Sequence, residues 1–227
     1  MLGTLINAGA IILAGLLGLL LRRGIPEKMN RSLQDALGIL IIVLGVQYGF
    51  KAENYAVIGI CLALGAIFGE WRDWDGRLEA AGNRLQQRFG NGKSSFAKGF
   101  VSATLLFCVG AMAVVGSLED GLYGNYHILL IKSILDAIFS ILFTASMGIG
   151  VIFSAIPVLL YQGSISLAAG VIEPILTDPI LNNITSLGGI LITGLGLNIL
   201  GVTRIRVANL LPGILFVPII MAIIAIF

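Results

Sequence analysis

HILLIKSILDAIFSILF, residues 127–143, sets a lysine and an aspartate inside a run that is otherwise nearly pure hydrocarbon. With its neighbours it fills 126–146, and a bilayer core needs roughly 20 apolar residues per helix. The stretch therefore predicts a membrane-spanning helix. Counting from Tyr126 at about 1.5 Å per residue, Lys132 lies ~9 Å and Asp136 ~15 Å into it, the latter close to the midplane. A charge at that depth costs about 2.5–3.5 kcal/mol on insertion scales. Lys132 and Asp136 are four residues apart, share one helical face and can pair. Ser133 and Ser140 border that face, which is expected to turn into a helix bundle and away from lipid.

The rest of the chain agrees with this stretch. Of 227 residues, 57% are hydrophobic and 11% charged, with a mean hydropathy of +1.00, whereas soluble domains carry about 25% charge. Thirty glycines suit helices that approach through small residues. Further apolar runs cover 2–21, 33–50, 54–69, 97–117, 149–173, 184–201 and 207–227. The chain thus reads as an all-α polytopic membrane protein of about eight spans, the third short and the sixth irregular.

Basic residues sort by loop. Arg22, Arg23, Lys28 and Arg31 follow the first span; Arg72, Arg77, Arg84, Arg88, Lys93 and Lys98 follow the third; Arg204 and Arg206 follow the seventh. These are 12 of the 14 basic residues, all on one side under eight spans; Lys51 and Lys132 fall elsewhere. The positive-inside rule puts those loops in the cytoplasm and both termini outside. The first run lacks a basic leader, since Arg22 and Arg23 come after it, and reads as a span and not as a cleavable signal.

The one long hydrophilic segment, EWRDWDGRLEAAGNRLQQRFGNGKSS at 70–95, repeats Trp71, Trp74, Leu78, Ala81, Leu85 and Phe89 at helical spacing opposite Arg77, Arg84 and Arg88. It predicts an amphipathic helix at the cytoplasmic interface, either a joining piece on the membrane or a self-association or partner surface, broken by NGKSS. Three parts result: an N-terminal membrane repeat at 1–69, the interfacial helix and linker at 70–95, and a C-terminal membrane part at 96–227. GILIIVLGVQ (38–47) and GILITGLGLN (189–198) match at six of ten positions and run in opposite directions. That is the trace an inverted-topology repeat leaves, with 149–227 echoing the first three spans; chance matching of small and aliphatic residues is the other reading.

Several polar residues lie within the apolar runs. Asp136 is either a cation or proton site with Lys132 as counter-charge, or half of a packing ion pair; ionisable groups at midplane depth mark pathways by default. GIGVIFSAIPVLLYQGSISLAAGVIEPIL at 148–176 is too long for one straight span, and Pro157 and Gln162-Gly163 interrupt it. Pro157 frees a carbonyl, and freed backbone at membrane depth needs protein or a wet cavity. The fourth run has a Gly110 to Gly116 stretch suited to a bend or close packing, and ends in Glu119 and Asp120, which either cap the fifth helix or form a vestibule. Asn7, Gln47 and Asn198 are expected to make interhelical hydrogen bonds of roughly 0.6 kcal/mol each. Gly65 and Gly69 form a small-xxx-small contact.

CVGAMAVVGSLEDGL, KSILDAIFS and GVIFSAIPVLLYQG, with the opening GTLINAGAIILAGLLG and closing RIRVANLLPGI, resemble the YqgA-like family of bacterial inner-membrane proteins over the whole chain. The resemblance implies a prokaryotic cytoplasmic-membrane location and a transporter-like architecture, without a substrate. It also implies that Lys132, Ser133, Asp136, Pro157, Gln162 and Gly163 belong to the family's pattern.

The expected function is a small secondary transporter or ion-translocating protein, partnered by the lipid bilayer, an unknown small ion or solute, and further copies of itself in a homo-oligomer. A non-transporting scaffold or regulator acting through 71–89 is the alternative. No enzyme is expected, for His127 is the single histidine and no catalytic set appears. No cofactor or metal site is expected either, because Cys61 and Cys108 sit in apolar runs without histidine neighbours. No basic stripe with interleaved aromatics suggests nucleic acid.

Overall fold

A computed structural model of the chain describes residues 1–22, 24–89 and 96–224. Arg23, Lys93 and the NGKSS break lie outside the described residues. Among the described residues every regular element is helical. In order these are α1 (Leu2–Arg22), α2 (Glu27–Gly49), α3 (Tyr55–Arg72), α4 (Trp74–Phe89), α5 (Phe96–Cys108), α6 (Ala111–Leu122), α7 (His127–Met147), α8 (Ala155–Leu167), α9 (Ala169–Ile172), α10 (Asp178–Ile199) and α11 (Gly213–Ile224). A 3₁₀ segment, Ile149–Ser154, precedes α8, and short 3₁₀ turns follow α9 and precede α11.

Seven of these stretches are long and apolar enough to cross a membrane, and α5 with α6 makes an eighth if the bent pair is one span. Each matches an apolar run read from the sequence. The chain is an all-α polytopic membrane protein.

Amphipathicity here separates lipid from protein. On α1, Leu5, Ile12, Leu13, Leu16 and Leu20 are exposed, while Gly3, Asn7, Ile11, Gly15 and Gly18 are buried in steps of three and four residues. On α7, Ile131, Ile134, Leu135 and Ile138 are exposed, and Lys132, Ser133, Asp136 and Ser140 are buried. Those exposed aliphatic stripes suit hydrocarbon as the surrounding solvent.

The chain forms two compact units, interleaved in sequence. The first comprises 1–37, 79–108 and 112–173. Its centre is α1 packed along α7 in parallel. Gly3 meets Leu129, Ile11 accepts from Ser140, and Gly18 lies against Ile141 and Thr144. α5 and α8 pack around this pair. The second unit comprises 38–78, 109–111 and 174–227. There the later part of α2 runs antiparallel to α10, with Gly38 against Gly196 and Leu200, and Gly45 against Gly189 and Thr193. These are the two echoed segments, packed on each other. Gly65 and Gly69 of α3 admit the backbone of Gly213 and Asn209, the close packing their spacing predicts.

Breaks fall where glycine or helix chemistry allows them. The fourth span bends by 62° between α5 and α6, at Gly110, whose φ of +136° L side chains rarely adopt. Gly148, with φ +97°, is the whole link between α7 and the 3₁₀ segment, and Arg22 comes directly against it, so a Cβ would be both strained and in collision.

The sixth segment is broken as its proline suggests, but not at Gln162-Gly163. The change from 3₁₀ to α-helix falls at Ala155 and the next interruption at Ala168. Pro157 lies in the first turn of α8, where a missing N–H costs little, and Gln162-Gly163 is continuous helix. α4 is amphipathic as read. Within the first unit, Gly82 packs on Ala97 and Phe100, and the Phe89 ring lies 5.1 Å from that of Phe153, so part of its apolar face is spent inside the chain.

Candidate functional site

In the first unit, Lys132 and Asp136 form an ion pair one helical turn apart on α7, with side chains only 8% and 9% exposed. Desolvating two charges is costly, and pairing repays the cost only where other bonds satisfy the remaining atoms. Asn7 of α1 supplies one, donating from Nδ2 to Asp136 Oδ2 at 3.0 Å. The same nitrogen donates to Gln162 Oε1 of α8 at 3.3 Å. α1, α7 and α8 are thus joined by one polar cluster in an apolar bundle.

The cluster is incompletely bonded. Asn7 Oδ1 and Gln162 Nε2 are buried without a partner. Such groups cost about 1–3 kcal/mol each, and in native proteins a bound polar species is a common reason for them. One acceptor and one donor stand open beside a charge-balanced pair. The cluster thus presents a donor, an acceptor and a carboxylate side by side.

The other residues singled out from the sequence divide clearly. Ser140 donates to the Ile11 carbonyl at 2.8 Å and ties α7 to α1 next to the cluster. Ser133 bonds back to Leu129 of its own helix at 2.6 Å and leaves the pair alone. Pro157 and Gly163 share α8 with Gln162, and Gly163 faces the Met1 side chain.

Glu119 is half-buried and accepts from Asn125 at 2.7 Å in the turn before α7. Asp120 is 3% exposed and does not cap α7. It faces the start of α1, 2.9 Å from the Met1 amine and 3.4 Å from the Thr4 N–H, where a carboxylate complements the helix dipole.

Two amides in the second unit depart from the expected interhelical role. Gln47 is exposed on α2. Asn198 clasps the loop after α10, donating to the Ile205 carbonyl at 2.6 Å and accepting from Thr203 and the Ile205 N–H at 2.8 Å each. Their distance in sequence from Asn7 gave no hint of this difference; loop geometry decides it.

Sequence reasoning passed over Thr4, Ser117 and Ser166. Ser166 donates to the Ser117 carbonyl at 2.8 Å, binding α8 to α6. The signal was present as helical spacing of polar residues within apolar runs: Thr4 with Asn7, Ser117 with Asp120, Gln162 with Ser166. A groove of about 410 Å³ in the second unit, lined by Gly45, Phe50, Tyr55, Ile190, Thr193 and Leu197 among others, has no charged lining residue and lacks the chemistry of the polar cluster. Among the described residues no group of three or more His, Cys, Asp or Glu is arranged to hold a metal ion.

Comparison with known proteins agrees with this picture at the level of family. Residues 2–222 match the family model described as a protein of unknown function, DUF554. The chain is 34% identical over 228 residues to the uncharacterized membrane protein YdfK of Bacillus subtilis (strain 168), covering 99% of this chain and 97% of that one. It is 31% identical over 219 residues to the uncharacterized protein YqgA of Escherichia coli (strain K12), covering 94% and 93%. No solved structure matches it. A match running from the first span to the last, shared with a relative named as a membrane protein, places this chain in the DUF554 family of membrane proteins.

Proposed function

We propose that this protein moves a small ion or polar solute across the bacterial cytoplasmic membrane, with Asp136 as the exchanging site, Lys132 as its counter-charge, and Asn7 and Gln162 as its neutral partners. The observation that carries the reading is the buried ion pair with an open acceptor and an open donor beside it. A pair kept only for packing is favoured when all its polar neighbours are satisfied; this one is not.

Two features of architecture support the reading. The fourth span is discontinuous at Gly110, and interrupted spans are how many transporters bring backbone groups to a midplane site. The echoed segments of α2 and α10 pack antiparallel through matching glycines, as the central pair of an inverted repeat would. Twelve of the 14 basic residues fall between spans in segments that share one side if the chain crosses eight times, and the positive-inside rule would then put those segments in the cytoplasm and both termini outside. The scaffold reading through 71–89 draws less support, because Gly82 and Phe89 already pack within the chain.

The test is reconstitution of purified protein in liposomes, with thermal stabilisation by a panel of ions and metabolites to choose the solute for flux. The double variant Lys132→Met with Asp136→Leu removes both charges together and keeps apolar volume. It is expected to remain folded and to lose flux. A double variant that folds and transports normally would falsify the role given to Asp136.

A further inference from the structure

Six residues of the first unit close a loop between α1, α6 and α8, Thr4 and Ser117 through their backbone and the others through their side chains. Asp120 accepts from the Thr4 N–H, and Thr4 lies one turn from Asn7 on α1. Asn7 donates to Gln162, and Gln162 lies one turn from Ser166 on α8. Ser166 donates to the Ser117 carbonyl, and Ser117 lies one turn from Asp120 on α6. All six are at least nine-tenths buried. Four polar atoms in this loop have no partner: Thr4 Oγ1, Asn7 Oδ1, Ser117 Oγ and Gln162 Nε2. They include two hydroxyls, an acceptor and a donor, drawn from all three helices. A buried water typically makes about three hydrogen bonds to otherwise unsatisfied groups, and the loop offers that set in sequence from the start of α1 to the amide that touches Asp136.

The interface on the far side of Asp136 is different in kind. There the Ser140 hydroxyl is spent on the Ile11 carbonyl. Gly15 is closed against Ile152 and Ser140, and Gly18 against the Ile141 backbone. Thr144 Oγ1, also without a partner, lies where Gly18 packs onto that residue. At Gly18 the helices approach backbone to backbone and at Gly15 through the Ile152 and Ser140 side chains, so the α1–α7 seam is closely packed there.

We infer that Thr4, Ser117, Gln162 and Asn7 hold a file of water molecules that gives Asp136 access to one membrane face alone, the face on which α1 begins. The purpose of the file rests on the reading of Asp136 as the transport site; its geometry does not. It makes the present conformation a one-sided state, with the α1–α7 seam from Ile11 to Gly18 as the closed gate.

The experiment uses full-length protein with Cys61 and Cys108 replaced by alanine, carrying Thr4→Cys, Ser117→Cys or Ser140→Cys singly, in sealed vesicles of both orientations. Ag⁺, a thiol-reactive cation of about the size of a water molecule, is applied from one side at a time, and thiols left free are counted with a maleimide after denaturation. Each variant is first required to elute as a single species. Ser117→Cys is close to isosteric, and Ser166→Cys replaces Thr4→Cys if the latter does not fold. Thr4→Cys and Ser117→Cys are expected to lose their maleimide labelling to Ag⁺ from one and the same face, and Ser140→Cys to keep it from either. Protection of Ser140→Cys equal to that of Ser117→Cys, no protection at 4 and 117, or protection of those two from opposite faces overturns the file. Since labelling needs no transport, loss of the file with flux intact, or of flux in the Asp136 variant with the file intact, separates this inference from the function proposed above.

Discussion

Asn7 and Asp136 meet across the parallel α1–α7 interface with 3.0 Å between Nδ2 and Oδ2, and the same Asn7 nitrogen reaches Gln162. One side chain of the first helix therefore sets the position of a carboxylate 129 residues away. Such a residue can matter for stability or for chemistry, and the two have different sizes. An interhelical hydrogen bond inside a membrane protein averages about 0.6 kcal/mol, too little to unfold the bundle.

Asn7→Leu is accordingly expected to lower thermal stability only slightly, by about 1–2 kcal/mol at most once the loss of the second bond to Gln162 is included. Flux is expected to fall far more, because Asp136 loses its neutral partner and its fixed orientation. Thermal melts and liposome flux on the same preparation check the split. Stability and flux falling in proportion would make Asn7 a packing residue.

Breaking the ion pair from one side leaves a buried charge uncompensated, at a cost of about 3–5 kcal/mol where the partner cannot adjust. Lys132→Met is therefore expected to melt earlier than wild type, and the double change with Asp136→Leu to recover much of the loss. Chemical denaturation of the single, double and wild-type proteins measures the coupling. A double variant less stable than Lys132→Met would mean that each charge is held by other groups.

Two glycines of one helix separate backbone cost from close approach. Gly9 has nothing within 4 Å of where a Cβ would be, whereas at Gly18 that atom would run into the Ile141 backbone. Gly9→Ala is expected to be neutral or to stabilise by about 0.5–1 kcal/mol, the usual gain of alanine in a helix. Gly18→Ala is expected to destabilise by about 1–3 kcal/mol, the range for overpacking. Thermal melts check the contrast: Gly18→Ala should melt below wild type and Gly9→Ala at or above it.

Spans were legible because hydropathy acts residue by residue: each apolar run became helical, the fourth and sixth with breaks, and the lysine and aspartate of 127–143 faced inward because lipid excludes them. The polar face of α7 followed from four-residue spacing alone. Partner choice was not legible. Nothing in α1 says that it lies parallel to α7 and not against its neighbour α2, so the approach of Asn7 to Asp136 is a tertiary fact. Asn198 and Asp120 show the same limit. An amide in an apolar run bonds whatever backbone is nearest, which for Asn198 is its own following loop, and Asp120 found the start of α1 instead of α7. Pro157 marked the break in the sixth segment but lies just after it, since its ring breaks a helix interior but fits a first turn, and the 3₁₀ segment before it puts it there.

Arg206 of the second unit tests how much an exposed network contributes. Its guanidinium bonds Glu70 at 2.7 Å, reaches Asp73, and lies 4.0 Å from Asp75, so one residue of the loop before α11 grips the end of α3 and the start of α4. Asp75 also accepts from the Ala208 N–H, and Asn209 from the Asp75 N–H at 2.7 Å, so the loop is fastened by backbone bonds as well. Arg206 is about half exposed (47%), which weakens each pair through solvent and salt; single exposed pairs contribute about 0.2–1 kcal/mol. Arg206→Ala is expected to lower the melting temperature modestly and to reduce its dependence on ionic strength, since screening then has less to remove. Arg206→Lys is expected to recover only part, because one ammonium cannot bond several carboxylates in the planar fork geometry. Melts at low and high salt for the three proteins decide it. If wild type and Arg206→Ala show equal salt dependence, the backbone bonds of Asp75 and Asn209 hold the loop and the guanidinium adds nothing measurable.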